Sequence, residues 1–302
     1  MAVADPEQQL AWEARQRKPA AVAGLLAGGG ILGGEVWGQA IYSDFPRAPF
    51  VQALRNVAEP GGIGGTESLR LAGLQWIHDN FGVLMASSSV RALGWVALGW
   101  AITFLAAATR ARREEFPRVA MYVPLVGALL SAVAGLMGTV GTNSAVSDFL
   151  AGPRTVDAAR DIGSNTLLVT AQIIGLAAQL ATATGIVLVA LNAMRAGLLT
   201  RFLGILGIIT GALVVIPIGP VPVVQAFWLV ALGLLFLGSM PGGVPPAWRT
   251  GKAEPWPTQQ QLAEARRAEA EQRGGAPEPE PEPVVAGIAH PSSKKRKRKR
   301  RT

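Results

Sequence analysis

Six strongly apolar stretches, separated by linkers whose arginines fall almost entirely on alternate sides, constrain this chain more than any other feature. They run over residues 19–42, 92–109, 119–141, 166–194, 202–218 and 221–240. Most lie near the ~20 residues that an α-helix needs to cross a bilayer. Half of the 302 residues are hydrophobic and only 16% are charged, and the charges sit between and after the apolar runs. That distribution belongs to a polytopic membrane protein and argues against a soluble domain. The expected fold class is all-α, a polytopic transmembrane helix bundle of six spans.

Lysine and arginine in short loops resist translocation, so the side that carries them is normally cytoplasmic. Arg15, Arg17 and Lys18 precede the first stretch, and Arg110, Arg112, Arg113 and Arg118 crowd the linker between the second and third. Arg195 and Arg201 flank the linker between the fourth and fifth, and a basic tail follows the sixth. With six spans all four groups fall on one side. The opposite segments hold Arg47, Arg55, Arg70, Arg91, Arg154 and Arg160, diluted over long loops and mixed with acids. The consistent topology is N-in/C-in: residues 1–18 form a cytoplasmic N-terminus, residues 43–91 an outside loop, and residues 241–302 a cytoplasmic tail. A second reading makes residues 1–40 a cleaved signal peptide, leaving five spans. Against it, the glycine-interrupted stretch is longer than the ~7–15 residue apolar core of such signals, and no A-x-A site follows.

The formal net charge of +8 is supplied in full by Lys294, Lys295, Arg296, Lys297, Arg298, Lys299, Arg300 and Arg301. The charge therefore describes a tail and carries no information about a basic cleft or the fold. Beside an anionic leaflet each such residue contributes about 1 kcal/mol, so the expected partners are the bilayer and anionic lipid headgroups, with a protein partner possible and nucleic acid disfavoured. Between this cluster and the last span, residues 258–273 are rich in helix formers and spell a short solvated helix. The Pro-Glu repeat over residues 277–283 reads as an extended, disordered spacer.

The chain has no cysteine and only two histidines, His78 and His290. Disulfides, thiolate metal sites and a cysteine nucleophile are excluded, and a histidine-rich metal site is disfavoured. No cofactor is expected. The sequence lacks H-E-x-x-H and G-x-S-x-G, Ser87, Ser88 and Ser89 have no base nearby except distant His78, and no catalytic residue is assigned. In the first outside loop, Leu71, Leu74, Ile77, His78 and Phe81 recur at helical spacing, which predicts a helix at the interface capping the mouth of the bundle.

Within the first stretch, Gly28, Gly30 and Gly33 match G-x-G-x-x-G, but no strand precedes them as a dinucleotide site requires. The four-residue spacings of Gly24/Gly28 and Gly30/Gly34/Gly38 fit close helix packing instead. Glu35 is the sharper signal. A carboxylate at a span's centre costs about 2.5–3.5 kcal/mol on insertion scales, so it demands a hydrogen-bonding neighbour, protonation or water. Gln39 lies one turn on, and Asn165, Gln172, Gln179 and Thr182 put a polar stripe on the fourth stretch, making that helix the expected partner.

Two segments, 192–215 (NAMRAGLLTRFLGILGIITGALVV) and 224–257 (VQAFWLVALGLLFLGSMPGGVPPAWRTGKAEPWP), resemble a group of uncharacterised bacterial multispan membrane proteins. In that group a short basic cytoplasmic turn joins two spans, and the last span runs into a Pro-Gly-Gly, Pro-Pro-Ala-Trp segment. The resemblance implies an integral protein of the bacterial plasma membrane with no catalytic residues to carry over. The expected role is non-enzymatic: membrane binding, scaffolding or regulation. The alternative is a small-solute or ion transporter or channel using Glu35 as an intramembrane acid.

Overall fold

From Pro6 the chain reads EQQLAWEARQRK before its first apolar run, and these are strong helix formers. In the computed structural model they extend the first stretch into one helix, α1, over Pro6–Ile41. Pro19, whose position ahead of the apolar run suggests a first-turn residue, lies inside this helix. The structure describes residues 6–46, 66–216, 219, 221–240, 243–256, 263–264 and 267–269. The chain divides into two units, Met1–Trp256 and Pro257–Thr302. In the second unit the described residues 263–264 and 267–269 are helical and exposed. The Pro-Glu spacer and Lys294 to Arg301 lie outside the described residues.

In the first unit, α1 is followed by α2 (Leu71–Asp79), α3 (Phe81–Arg112), α4 (Val119–Ala151), α5 (Val156–Asp161), α6 (Thr166–Arg195), α7 (Arg201–Val215), α8 (Val223–Leu237) and α9 (Ala247–Thr250). Among the described residues there is no strand, only an isolated antiparallel bridge between Glu67 and Thr155. Local chemistry sets the boundaries. Asn165 caps α6 by accepting from the N–H groups of Leu167 and Leu168, and Thr200 caps α7 by accepting from Leu203. Gly238, at φ 77°, closes α8 in the left-handed conformation that glycine adopts without strain.

Two helices run further than hydropathy suggests. The outside loop expected over 43–91 is shortened, because α3 begins at Phe81, well before Ala92. The polar residues in its first turns find partners. Ser87 Oγ donates to Leu84 O at 3.0 Å, Ser89 Oγ to Met85 O at 2.8 Å, and the Ser88 and Thr139 hydroxyls meet at 2.7 Å. Likewise α4 continues past Gly141 to Ala151, with Thr142 Oγ1 donating to Gly138 O and Ser147 Oγ to Asn143 O, both at 2.8 Å. Back-bonding to the preceding turn hides the hydroxyls without breaking the helix.

Six helices form a closed ring in chain order: α1 packs on α3, α3 on α4, α4 on α6, α6 on α7, α7 on α8 and α8 back on α1. Glycine lets these pairs approach. A Cβ on Gly24 would stand 3.0 Å from Gly233 Cα on α8, and one on Gly28 would stand 2.8 Å from Ala226 O. On the other face of α1, a Cβ on Gly30 would lie 3.0 Å from Gly94 Cα and one on Gly34 2.8 Å from Arg91 Cβ, both on α3. Gly38 is looser, with Ser87 Oγ at 3.8 Å. Small residues inside and large apolar ones outside characterise helices packed in lipid, where backbone proximity replaces hydrophobic collapse. Each ring helix points a bulky side chain outward: Leu26, Leu93, Val126, Ile173, Ile205 and Phe227 are all exposed.

Four of the six, α1, α3, α4 and α6, are long and apolar enough to cross a membrane. With 15 residues each, α7 and α8 reach only about 22 Å, less than the ~30 Å hydrocarbon core. They pack on each other as a helical hairpin; Pro217 and Pro220, which with Gly219 and Pro222 suggest a tight turn between them, lie outside the described residues. At the opposite ends of the ring helices gather Arg110, Arg112 and Arg118, Arg195 and Arg201, and the segment 243–256; this is the basic end. At the distal end, α2 packs Leu74 against Val146, Phe149 and Ala159, so it sits over the last turns of α4.

Candidate functional site

The ring is solid in one half and hollow in the other. Toward the basic end, Leu98, Ile102 and Leu105 of α3 meet Ile186 and Val189 of α6 and Trp228, Leu229 and Leu232 of α8 in one buried apolar core. Toward the distal end the same helices diverge around a cavity of about 590 Å³, to which all six contribute. Leu98 and Ile186 form its floor, Ser131, Gly135 and Gly138 one wall, and Gln172, Gly175 and Gln179 another. Near the α7–α8 hairpin, Thr210 and Gln225 complete it. No residue of α2 lines it, so the helix expected to cap the bundle mouth stands beside the cavity.

Glu35 of α1 reaches this cavity, and its partner comes from α3. Arg91 Nη1 donates to Glu35 Oε2 at 2.8 Å, with about a third of each side chain exposed (36% and 30%). The expected partnership with the α6 stripe is thereby corrected: Asn165 is spent on capping α6, Thr182 is fully buried against Gly127 of α4, and Gln39 is exposed on α1 away from the cavity lining. The sequence set Arg91 at the end of the expected outside loop, just ahead of an apolar run. That placement missed that a helix starting at Phe81 carries Arg91 inward, level with Gly34, where the absent Cβ lets α3 come close. Glu35 is therefore one half of an ion pair, and the insertion cost reckoned for it alone is shared with a counter-charge.

The other polar lining groups lack partners. Gln172 and Gln179, two turns apart on α6, are exposed to the cavity and make no hydrogen bond with any described residue, and the same holds for the Trp95 indole. The hydroxyls of Ser131 and Thr210 are buried without a hydrogen-bond partner. Among the described residues, Glu35 Oε1 and the Nε and Nη2 groups of Arg91 likewise make no hydrogen bond. Gln225 differs, donating from Nε2 to Leu213 O at 3.2 Å across the hairpin. A buried hydroxyl without a partner costs about 1–3 kcal/mol, and the exposed amides beside it offer donors and acceptors that water or a ligand can take up. Glycines 135 and 138 matter here for the opposite reason from those of α1. A Cβ on Gly135 would meet nothing within 4 Å, and one on Gly138 only Ala171 Cβ at 4.0 Å. They hold space open.

A second ion pair, at the basic end, has a different character. Arg112 forms a bidentate pair with Glu13: Nη1 donates to Oε1 and Nη2 to Oε2, the second at 3.0 Å. Its remaining donors reach Ala108 O at 3.0 Å and Ala247 O at 2.8 and 3.2 Å, so all five N–H groups are engaged. Both side chains are buried, at 0% and 3% exposure. Trp248 lies beneath the guanidinium of Arg112 at 5.5 Å and that of Arg17 at 5.2 Å, and stacks on Phe104 at 5.8 Å. The segment after α8 is thus a strap. Its indoles donate to the α6–α7 turn, Trp248 Nε1 to Leu198 O and Trp256 Nε1 to Leu199 O, each at 2.8 Å. Glu254 N adds a bond to Ala196 O at 3.1 Å. Gly197, at φ 75°, leaves room for the strap where any side chain would strike Glu254. The Pro245-Pro246-Ala247-Trp248 segment thus forms part of this closure.

Other chemistry is less built. Among the described residues no cluster of His, Asp and Glu is arranged to hold a metal ion. His78 Nδ1 lies 3.2 Å from Ser147 Oγ, but that hydroxyl also bonds Asn143 O at 2.8 Å, so its single proton is already placed. Ser87 to Ser89 remain distant from His78, on α3. Comparison with protein-family models, with curated proteins and with solved structures finds no match to this chain.

Proposed function

We propose that this chain is a non-enzymatic integral protein of the bacterial plasma membrane that takes a small polar solute into the cavity around Glu35 and Arg91 from the outer side. All six ring helices cross or nearly cross the bilayer, with α7 and α8 drawing on their flanking residues and on local thinning to span it. The basic end faces the cytoplasm, following the positive-inside rule. The observation that carries the reading is the asymmetry of the ring: a polar-lined cavity of about 590 Å³ at one end, a packed core and a strapped closure at the other. Ligand sites are commonly concavities of roughly 300–1,000 Å³ with a few convergent polar groups on an otherwise apolar wall.

This arrangement favours the transport reading over the scaffold reading, and a carrier over a channel, because the inner half offers no continuous path. In a carrier the cavity is one of two alternating states, and the strap with its buried Glu13–Arg112 pair is the inner barrier that must open. The Lys294–Arg301 run, held on the cytoplasmic side in this topology, is proposed to rest on anionic headgroups. The reading is tested by extracting the whole protein in native lipid discs and identifying what it retains by mass spectrometry. A small solute retained by the natural sequence and lost from Gly135→Leu, which fills the cavity, supports it. Retention of a protein partner alone, unchanged in Gly135→Leu, supports the scaffold reading instead.

A further inference from the structure

The chemistry of the cavity wall narrows the solute further, an inference that rests on the solute-binding reading above. Its two charges neutralise one another: Glu35 and Arg91 are joined at 2.8 Å. A cation entering this space meets the guanidinium and an anion meets the carboxylate, so neither finds an unopposed counter-charge. A zwitterion would have to separate the existing pair to engage both members, exchanging one charge contact for another at the cost of desolvating its own groups.

The groups left unpartnered have a common property. The amides of Gln172 and Gln179 are neutral and exposed, and each offers both donor and acceptor capacity, while the neutral hydroxyls of Ser131 and Thr210 lie buried behind the wall. The ion pair retains one free carboxylate oxygen beside free guanidinium N–H groups, a side-by-side acceptor and donor. Adjacent hydroxyls on one molecule match that edge, one donating to Glu35 Oε1 while its neighbour accepts from Arg91. Trp95 adds a flat apolar face on the same wall as Arg91, suited to the C–H face of a ring or chain bearing hydroxyls on its other side. A site of this kind disfavours molecules lacking hydroxyls, because its polar groups would give up water and stay unpaired.

We infer that the cavity binds a neutral polyhydroxylated solute, a polyol or small saccharide, through Gln172, Gln179 and the free edges of the Glu35–Arg91 pair.

The test is equilibrium binding to the full chain in lipid discs with four radiolabelled probes: sorbitol, sucrose, glycine betaine and inorganic phosphate. Saturable binding of sorbitol or sucrose is expected. Gln172→Leu and Gln179→Leu should each weaken it about tenfold, the loss of one well-made hydrogen bond in a desolvated site, and Gly135→Leu should abolish it. Because both glutamines are exposed and bond no described residue, their variants should unfold at the same temperature as the parent. Saturable binding of betaine or phosphate with neither polyol bound overturns the polyol assignment and leaves the solute-binding reading standing. Polyol binding indifferent to all three substitutions overturns the assignment too, since the site would lie elsewhere. If none of the four probes binds and Gln172→Cys resists a hydrophilic thiol reagent, both the assignment and the solute-binding reading fall.

Discussion

Two ion pairs, Glu13–Arg112 and Glu35–Arg91, join the same two helices, α1 and α3, yet they are built to opposite specifications. At the basic end Arg112 spends every donor, Glu13 is bidentate, and an aromatic ring lies beneath the guanidinium. At the distal end Arg91 makes one contact with Glu35 and leaves the rest of its fork unused. A buried charge pair is tolerated only when its remaining hydrogen-bonding capacity is met by the protein, whereas an incompletely met pair that is partly exposed is available to something else. The first pair fastens the bundle, and the second equips it.

Four substitutions bear on that contrast, and Glu13→Ala should have the largest effect. It strands the Arg112 guanidinium inside the strap, and breaking such a pair typically costs about 3–5 kcal/mol. Unfolding of the purified protein in lipid discs should show a correspondingly large drop; a change as small as that of a surface charge would mean that water reaches this end. Next comes Gly94→Leu, about one turn along α3 from Arg91. A Cβ there would lie 2.6 Å from Ile31 N, so α1 and α3 must part, at about 1–3 kcal/mol for overpacking, and the neighbouring Glu35–Arg91 pair should loosen most. Glu35→Gln should be milder, within about 1 kcal/mol in the same assay, because solvent already screens the pair. Its consequence should appear in solute retention. If Glu35→Gln destabilises as much as Glu13→Ala, the distinction between the two ends disappears. Gly135→Leu should lie at or slightly above the parent in stability, since leucine is the better helix former by up to about 1 kcal/mol and fills open space, while solute retention is lost.

The two ends also differed in how much the sequence disclosed. Apolar runs of near-bilayer length and alternating arginines made the helical class legible, and the four-residue glycine spacings in α1 pointed to surfaces where the structure brings helices together. Pairings were less legible. Glu35 stood out because carboxylates are costly in apolar runs, but its partner was hidden: Arg91 follows three serines whose polarity disguised the first turns of α3 as loop. Glu13 was hidden for the converse reason. In a stretch as polar as residues 6–18, an acid raises no alarm, and only the strap brought over it by residues 243–256 buries it. The glycines of α4 carried a signal that spacing cannot decode. Gly141 meets the backbone of Leu168 while Gly135 and Gly138 open the cavity, and nothing local distinguishes a glycine that admits a helix from one that admits a ligand.

The most direct test of the central claim, a polar cavity open to the outer face and closed toward the cytoplasm, uses the absence of cysteine from the chain. Gln172→Cys, Ala151→Cys and Ala111→Cys are each made singly and exposed, in spheroplasts, to a charged thiol reagent that does not cross membranes. The cavity position 172 and position 151, at the C-terminal end of α4, should both be modified from outside, and position 111 only after the membrane is breached. Protection of position 172 from the outside, with modification from the cytoplasmic side, would contradict the account.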